Sequence, residues 1–143
     1  MFNLTILYGS SCVGKSYLMN KMDNCCLKVE MDDCKYWLHA EKKRKNICIN
    51  YLISKIKENL EQNKDMIVTC GYLPLPNNYI YKKLEQGFNI NLKHVLVLIK
   101  NINTYKNNIC KRDRNDLMNE LILNYQWREK GKNLYDEIIY NDY

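Results

Sequence analysis

The sequence has no apolar run of about 18 residues, the length that a transmembrane helix needs. No basic segment precedes its short amino-terminal apolar run, so this end does not resemble a signal peptide. Its seven cysteines are odd in number and form no Cys-x-x-Cys pair, and neither His39 nor His94 has partners at metal-ligand spacing. These absences predict a cytoplasmic protein with reduced thiols, no membrane contact and no zinc site.

The chain also lacks linkers, internal repeats and low-complexity tracts. We therefore expect one domain over residues 1–143. Lysine and arginine number 22 against 16 acidic residues, and the net charge of +6 suits an anionic partner such as a nucleotide, a phosphorylated metabolite or a nucleic acid. Because the lysines are scattered among glutamates, a solvated surface is favoured over a continuous nucleic-acid stripe.

One short segment near the amino terminus has the form Gly-x-x-x-x-Gly-Lys-Ser, between a β-prone run at 2–8 and a helical pattern at 15–22. Its glycines let the backbone curl so that N–H groups form an anion nest, its lysine reaches the β- and γ-phosphates, and its serine can bind Mg²⁺. This strand–loop–helix context is the one that a P-loop requires. The residues expected to bind nucleotide are Gly9, Ser10, Ser11, Cys12, Val13, Gly14, Lys15 and Ser16.

Apolar runs and helical stripes alternate along the rest of the chain. Further strands are expected at 26–31, 65–70, 93–99 and within 134–140. Helices are expected at 34–44, 47–62, 78–86, 103–111 and 117–130. Strands too apolar to face water, alternating with helices, predict an α/β fold whose parallel sheet is covered on both faces.

Phosphoryl transfer needs positioned charge and Mg²⁺ more than covalent help from the protein. Asp32 and Asp33 follow the second strand, at the edge where ligands of parallel sheets lie. We expect Asp32 to orient or deprotonate an acceptor hydroxyl or to hold a Mg²⁺-bound water, and Asp33 to cap the next helix, with their order in the site left open. Arg112 and Arg114 predict a short lid over the phosphates at about 112–116, with a solvated turn as the alternative.

Three further residues are candidates for the acceptor pocket. Gly71 and Tyr72 end the third strand, where Tyr72 would either stack on a ring of the acceptor or simply pack. Arg128 would face the site from the last helix or form a surface ion pair with Glu129. The two histidines are expected to be surface or packing residues.

With these pieces in place, the chain resembles the P-loop kinases of the nucleoside-monophosphate-kinase-like group. Asp32-Asp-Cys-Lys35 is similar to the Asp-Asp-x-Arg of polynucleotide 5′-kinases, which implies that Asp32 is the general base and that Lys35, in the arginine's place, binds the acceptor. Segment 66–71 resembles the third strand of shikimate and gluconate kinases, segment 112–117 their lid, and segment 133–138 the Leu-Tyr-x-Glu-Ile of shikimate kinases. The resemblance implies a five-stranded parallel sheet of order 2-3-1-4-5.

The sequence also departs from several patterns. It has neither the Gly-Gly-Gly run nor the Phe-Arg segment of shikimate kinases, which disfavours shikimate as acceptor. No aspartate ends the third strand, so the metal ligands expected are Ser16 and Asp32. It has no Asp-x-x-Gly after a strand and no Asn-Lys-x-Asp, which argues against a GTPase.

These patterns predict an ATP- and Mg²⁺-dependent phosphotransferase that moves the γ-phosphate to a nucleoside, a nucleotide or another small hydroxyl acceptor. Its expected catalytic residues are Lys15, Asp32, Arg112 and Arg114. One alternative keeps this chemistry but has a polynucleotide 5′-hydroxyl as acceptor. Another is a nucleotide-binding module or switch without fast turnover. The oligomeric state is left open.

Overall fold

Strands and helices alternate along the part of the chain that the computed structural model describes, which is residues 1–22, 26–31, 41–69 and 73–142. The elements are β1 (Asn3–Tyr8), α1 (Lys15–Lys21), β2 (Leu27–Glu30), α2 (Glu41–Asn59), β3 (Met66–Thr69), α3 (Ile80–Phe88), β4 (Asn91–Ile99), α4 (Ile102–Lys111), α5 (Met118–Lys130) and β5 (Glu137–Asn141). Short 3₁₀ helices at Asn115–Leu117 and Lys132–Leu134 flank α5.

The five strands form one parallel sheet in the order β2-β3-β1-β4-β5, which confirms the predicted order. Strand β1 is central: its Leu4 pairs with Met66 of β3 on one side and with Leu92 of β4 on the other. Because all strands run the same way, the loop that follows β1 emerges at the middle of the sheet's carboxyl edge. In open parallel sheets this edge binds the ligands.

Both faces of the sheet are covered. Six consecutive residues of β4, 94–99, are buried, and successive side chains of a strand point to opposite faces. Leu52 and Ile56 of α2, Tyr105 and Ile109 of α4, and Tyr125 of α5 complete this core with exposures of 4% or less. None of the helices within the described ranges combines the length and apolarity that a bilayer crossing requires.

The structure corrects the predicted helix boundaries around residue 45. Two helices were expected, but α2 runs without a break from Glu41, since no glycine or proline separates Arg44 from Ile47. The helix also ends earlier than expected, at Asn59, whose buried side chain donates from Nδ2 to the carbonyl oxygen of Lys64 at 2.6 Å. Leu60, which continues the apolar spacing, is consequently 45% exposed.

Candidate nucleotide-binding site

The loop Gly9–Ser16 connects the end of β1 to the start of α1. Cys12 and Gly14 both have left-handed backbones, with φ angles of 72° and 85°. Alternation of left- and right-handed residues turns successive N–H groups toward one concave side, which is the geometry of an anion nest. Gly14 takes this conformation without a steric cost, whereas Cys12 takes it at about 1–2 kcal/mol. Such strain is common where a backbone is held for function.

Gly9 has a different role from the one that the sequence suggests. Its φ is not positive, so the loop does not need it for a left-handed turn. A Cβ at this position would instead lie 2.8 Å from Cγ2 of Val13 and 3.0 Å from the carbonyl oxygen of Val97 in β4. The expectation for Gly9 is therefore corrected: glycine is needed because β4 passes too close for any side chain.

Lys15, the first residue of α1, places its ammonium against the loop. Its Nζ donates to the carbonyl oxygen of Gly9 at 2.5 Å and lies 3.4 Å from that of Ser10. Lys15 and the next residue, Ser16, are both half-buried at the start of the helix. The two residue types that a P-loop uses for phosphates and for Mg²⁺ thus adjoin the nest.

Helix α5 contacts the loop through a shared oxygen atom. Ser10 donates from Oγ to Oδ1 of Asn124 at 2.6 Å, and Arg128 donates from Nε to the same oxygen at 3.1 Å. Burial raises the pKa of the Tyr135 phenol, and the charge and hydrogen bond of Arg128 offset part of this rise. Arg128 is therefore a buried side chain that supports Asn124, and its binding of an acceptor stays a prediction.

Two side chains from distant parts of the chain bind carbonyl oxygens of the loop. The hydroxyl of Tyr105 donates to the carbonyl of Ser11 at 2.7 Å. Asn141, at the end of β5, donates from Nδ2 to the carbonyls of Val13 and Gly14 at 3.1 and 3.0 Å. Neither side chain was predicted as a site residue, because an asparagine at a strand end and a tyrosine in a helical stripe carry no motif.

The predicted lid residues lie in the connection between α4 and α5. Arg112 is the C-cap of α4, Asp113 turns the chain with a left-handed φ of 55°, and Arg114 precedes the 3₁₀ helix. The side chains of both arginines are exposed. Closure of this segment over phosphates stays a prediction.

Four predicted site residues lie outside the described residues: Asp32, Lys35, Gly71 and Tyr72. The described strands nevertheless fix what precedes them. Strand β2 ends at Glu30 and β3 ends at Thr69, so both segments follow strands that point to the same edge as the P-loop.

A cavity of about 470 Å³ lies next to Asn141 at the end of β5. Its walls come from α1, from the start of α4 and from the end of β5, and they include Leu18, Thr104, Tyr140 and Asp142. Asn141 also lines it and is the residue that binds the loop carbonyls. Asn141 thus connects the cavity to the loop, and the cavity's volume lies in the usual range for small-molecule sites, about 300–1,000 Å³.

His94 is buried next to the residue that precedes the loop. Its Nδ1 lies 2.7 Å from the hydroxyl of Tyr8, and the ring of Tyr81 packs edge-on at 4.6 Å between centroids. Burial lowers the pKa of His94, and the negative charges of Asp136 and Glu85 oppose this in part. The side chain packs in the core, in agreement with the packing role expected for it.

The strand order and the loop between β1 and α1 together define a P-loop kinase-like fold. Solved structures share it: shikimate kinase from Bacteroides thetaiotaomicron matches with a TM-score of 0.58 at 14% identity, over 96% of this chain and 85% of the kinase. A structure from the PezAT chromosomal toxin–antitoxin system of Streptococcus pneumoniae matches with a TM-score of 0.58 at 12% identity, over 99% and 68%. At these identities the likeness shows the fold alone. No family model and no curated protein sequence matches the chain.

Proposed function

We propose that this protein is an ATP- and Mg²⁺-dependent phosphotransferase that moves the γ-phosphate to a small acceptor. The observation that carries the proposal is the backbone of Gly9–Ser16, bent at Cys12 and Gly14 into an anion nest at the carboxyl edge of the sheet. The fold shared with a shikimate kinase supports transfer to a small molecule.

The loop residues fit a triphosphate in charge and in backbone conformation. The N–H groups of the nest would donate hydrogen bonds to the β- and γ-phosphate oxygens. The ammonium of Lys15, which now donates to the carbonyls of Gly9 and Ser10, would donate to these phosphate oxygens instead. Ser16 would hold Mg²⁺, which supplies neutralising charge to the phosphoryl group.

The remaining steps are assigned to residues near the same edge. Asp32, two residues after the end of β2, would accept the proton of the acceptor hydroxyl and hold a Mg²⁺-bound water. Arg112 and Arg114 would close over the phosphates and stabilise the transferring charge. The residues proposed to bind the acceptor are Lys35, Gly71, Tyr72 and Arg128.

The cavity next to Asn141 is the proposed position of the nucleoside. It opens next to Asn141, which binds the loop, and offers the ring of Tyr140 and the polar groups of Thr104 and Asp142. Its volume of about 470 Å³ accommodates a purine nucleoside.

The test is a transfer assay with γ-labelled ATP, Mg²⁺ and pooled nucleosides, nucleotides, sugars and 5′-hydroxyl oligonucleotides. Lys15→Ala should lower transfer by roughly 10²-fold or more, as for the loss of a charged donor at the reacting group. The matched control is Lys57→Ala, since Lys57 is an exposed lysine in the last turn of α2. It should transfer phosphate like the unmodified protein.

Three outcomes would contradict the proposal. ATP binding without any labelled product would indicate a nucleotide-binding module. Label on oligonucleotides alone, with binding that weakens steeply in salt, would indicate a polynucleotide kinase. Equal transfer by Lys15→Ala and Lys57→Ala would remove the loop from the reaction.

A further inference from the structure

We propose that Tyr105, Asn124 and Asn141 form a brace that presets the phosphate-binding N–H groups of the loop. These three are then positioning residues for the nucleotide and do not touch the reacting atoms. The inference rests on the proposed function, because it concerns how tightly that same loop binds phosphate.

The brace reaches the loop from three separate elements. Tyr105 lies on α4, Asn124 on α5 and Asn141 at the end of β5. Their hydrogen bonds to the loop run from 2.6 to 3.1 Å, and they involve both the backbone and a serine side chain. A loop of eight residues is thus held from outside at four atoms.

The geometry of the peptide bond makes these contacts consequential. A peptide unit is planar and trans, so the C=O of one residue and the N–H of the next point in opposite directions. Tyr105 and Asn141 hold the carbonyls of residues 11, 13 and 14 on the outside of the loop. The N–H groups of Cys12, Gly14 and Lys15 consequently point into the nest, where an anion would sit.

The two brace residues that donate to the loop backbone, Tyr105 and Asn141, are buried. Tyr105 is 0% exposed and its ring stacks on Tyr125 with centroids 4.9 Å apart. Burial raises the pKa of the Tyr105 phenol, which therefore keeps its proton over an even wider pH range. Asn141 is 5% exposed. Donors that are fixed before the ligand arrives remove an ordering cost from binding.

The size of the effect follows from that ordering cost. Fixing one backbone residue at the moment of binding lowers affinity by roughly tenfold. Loss of the Asn141 amide frees the peptide unit at Val13, whereas the carbonyl of Gly14 keeps its bond from the N–H of Leu18, so Asn141→Ala should weaken binding by roughly tenfold. Tyr105→Phe keeps the stacked ring and removes the bond to Ser11 together with the longer contact, 3.4 Å, to the carbonyl oxygen of Leu121; it should weaken binding by a few-fold to about tenfold.

The experiment measures calorimetric Kd values for ATP with Mg²⁺ and for inorganic tripolyphosphate, together with urea unfolding. The variants are Asn141→Ala, Asn141→Asp and Tyr105→Phe. Asn141→Asp keeps the shape of the side chain but places carboxylate oxygens against two carbonyl oxygens, which repel them. This variant should therefore bind both ligands at least as weakly as Asn141→Ala. The matched control is Asn59→Ala, because Asn59 is also a buried asparagine that donates to a backbone carbonyl, at the other edge of the sheet.

The expected result separates binding from stability. Asn59→Ala should unfold at a lower urea concentration and keep the Kd of the unmodified protein. By contrast, Asn141→Ala and Tyr105→Phe should weaken the binding of tripolyphosphate as much as the binding of ATP. The amide resonances of Cys12, Gly14 and Lys15 should shift when tripolyphosphate is added to the unmodified protein. In Asn141→Ala at the same ligand occupancy these shifts should be smaller, which a purely structural role would not produce.

Two results would overturn the brace. In the first, the unmodified protein binds both ligands and the Asn141 and Tyr105 variants bind them with Kd values within about twofold of it; this result leaves the proposed function intact. In the second, the unmodified protein binds neither ATP nor tripolyphosphate; this result removes the proposed function together with the brace.

Discussion

Gly9→Ala tests the packing of the loop against the sheet. The added Cβ would lie 3.0 Å from the carbonyl oxygen of Val97 and 2.8 Å from Cγ2 of Val13. The valine methyl group can move by a few tenths of an ångström, but the carbonyl belongs to the backbone of β4 and cannot rotate away. The loop itself must therefore shift, and with it the Gly9 carbonyl that binds Lys15.

The cost is that of an overpacked core site, about 1–3 kcal/mol. For a chain of this length each kcal/mol lowers the melting temperature by about 3–5 °C, so we expect a decrease of roughly 3–15 °C. Nucleotide binding should weaken as well, because the displaced segment carries the nest.

Gly87→Ala is the matched control, and its effect should have the opposite sign. Gly87 is exposed on α3, and a Cβ built on it meets no atom within 4 Å. Alanine in a helix is more favourable than glycine by about 0.5–1 kcal/mol, so this variant should melt slightly higher. Thermal unfolding followed by circular dichroism measures both changes. A Gly9→Ala variant that melts as high as Gly87→Ala would refute the close approach of β4.

Two further changes test the core beside the site. Tyr125→Phe should lower the free energy of unfolding in urea by about 1–3 kcal/mol, because its buried hydroxyl pairs with both the N–H and the C=O of Ile99; the exposed Tyr79→Phe should change nothing. For His94, burial lowers the pKa below the usual 6.5, so the unfolded chain binds the proton more readily and stability falls as the pH drops through 6.5. Urea midpoints should consequently drop more between about pH 7.5 and 5.5 in the unmodified protein than in His94→Gln, and equal drops would contradict this assignment.

The sheet could be predicted from the sequence because its strands are apolar enough to be recognised one by one. The run ending at Ile99 is buried from residue 94 onward, and the structure extends it only at its exposed start, from residue 93 back to Asn91. Propensity alone does not order parallel strands. The order came from the resemblance of the P-loop, of the segment at 66–71 and of the segment at 133–138 to those of known kinases, and the structure confirms it.

The end of α2 shows what local periodicity misses. Leu60 has the spacing of a buried residue, yet the helix stops one residue earlier, where the Asn59 side chain binds the backbone of Lys64. A left-handed Asn63 then turns the chain toward β3. Asparagine side chains compete with the helix for backbone hydrogen bonds, and the spacing of hydrophobic residues contains no information about that competition.

The same distinction applies to the site: some of its features can be predicted from the motif, and others depend on tertiary contacts. The spacing of Gly14, Lys15 and Ser16 is visible in eight letters, and it identifies which groups can meet a phosphate. It does not say which way the peptide units face, since that is decided by a tyrosine 94 residues from Ser11 and by an asparagine 127 residues from Gly14. The same eight letters can occur by chance in a loop without such contacts, where the N–H groups would have no fixed direction. The property that makes this segment a phosphate site, by this reasoning, lies as much in the residues that hold its carbonyls outside as in the motif itself.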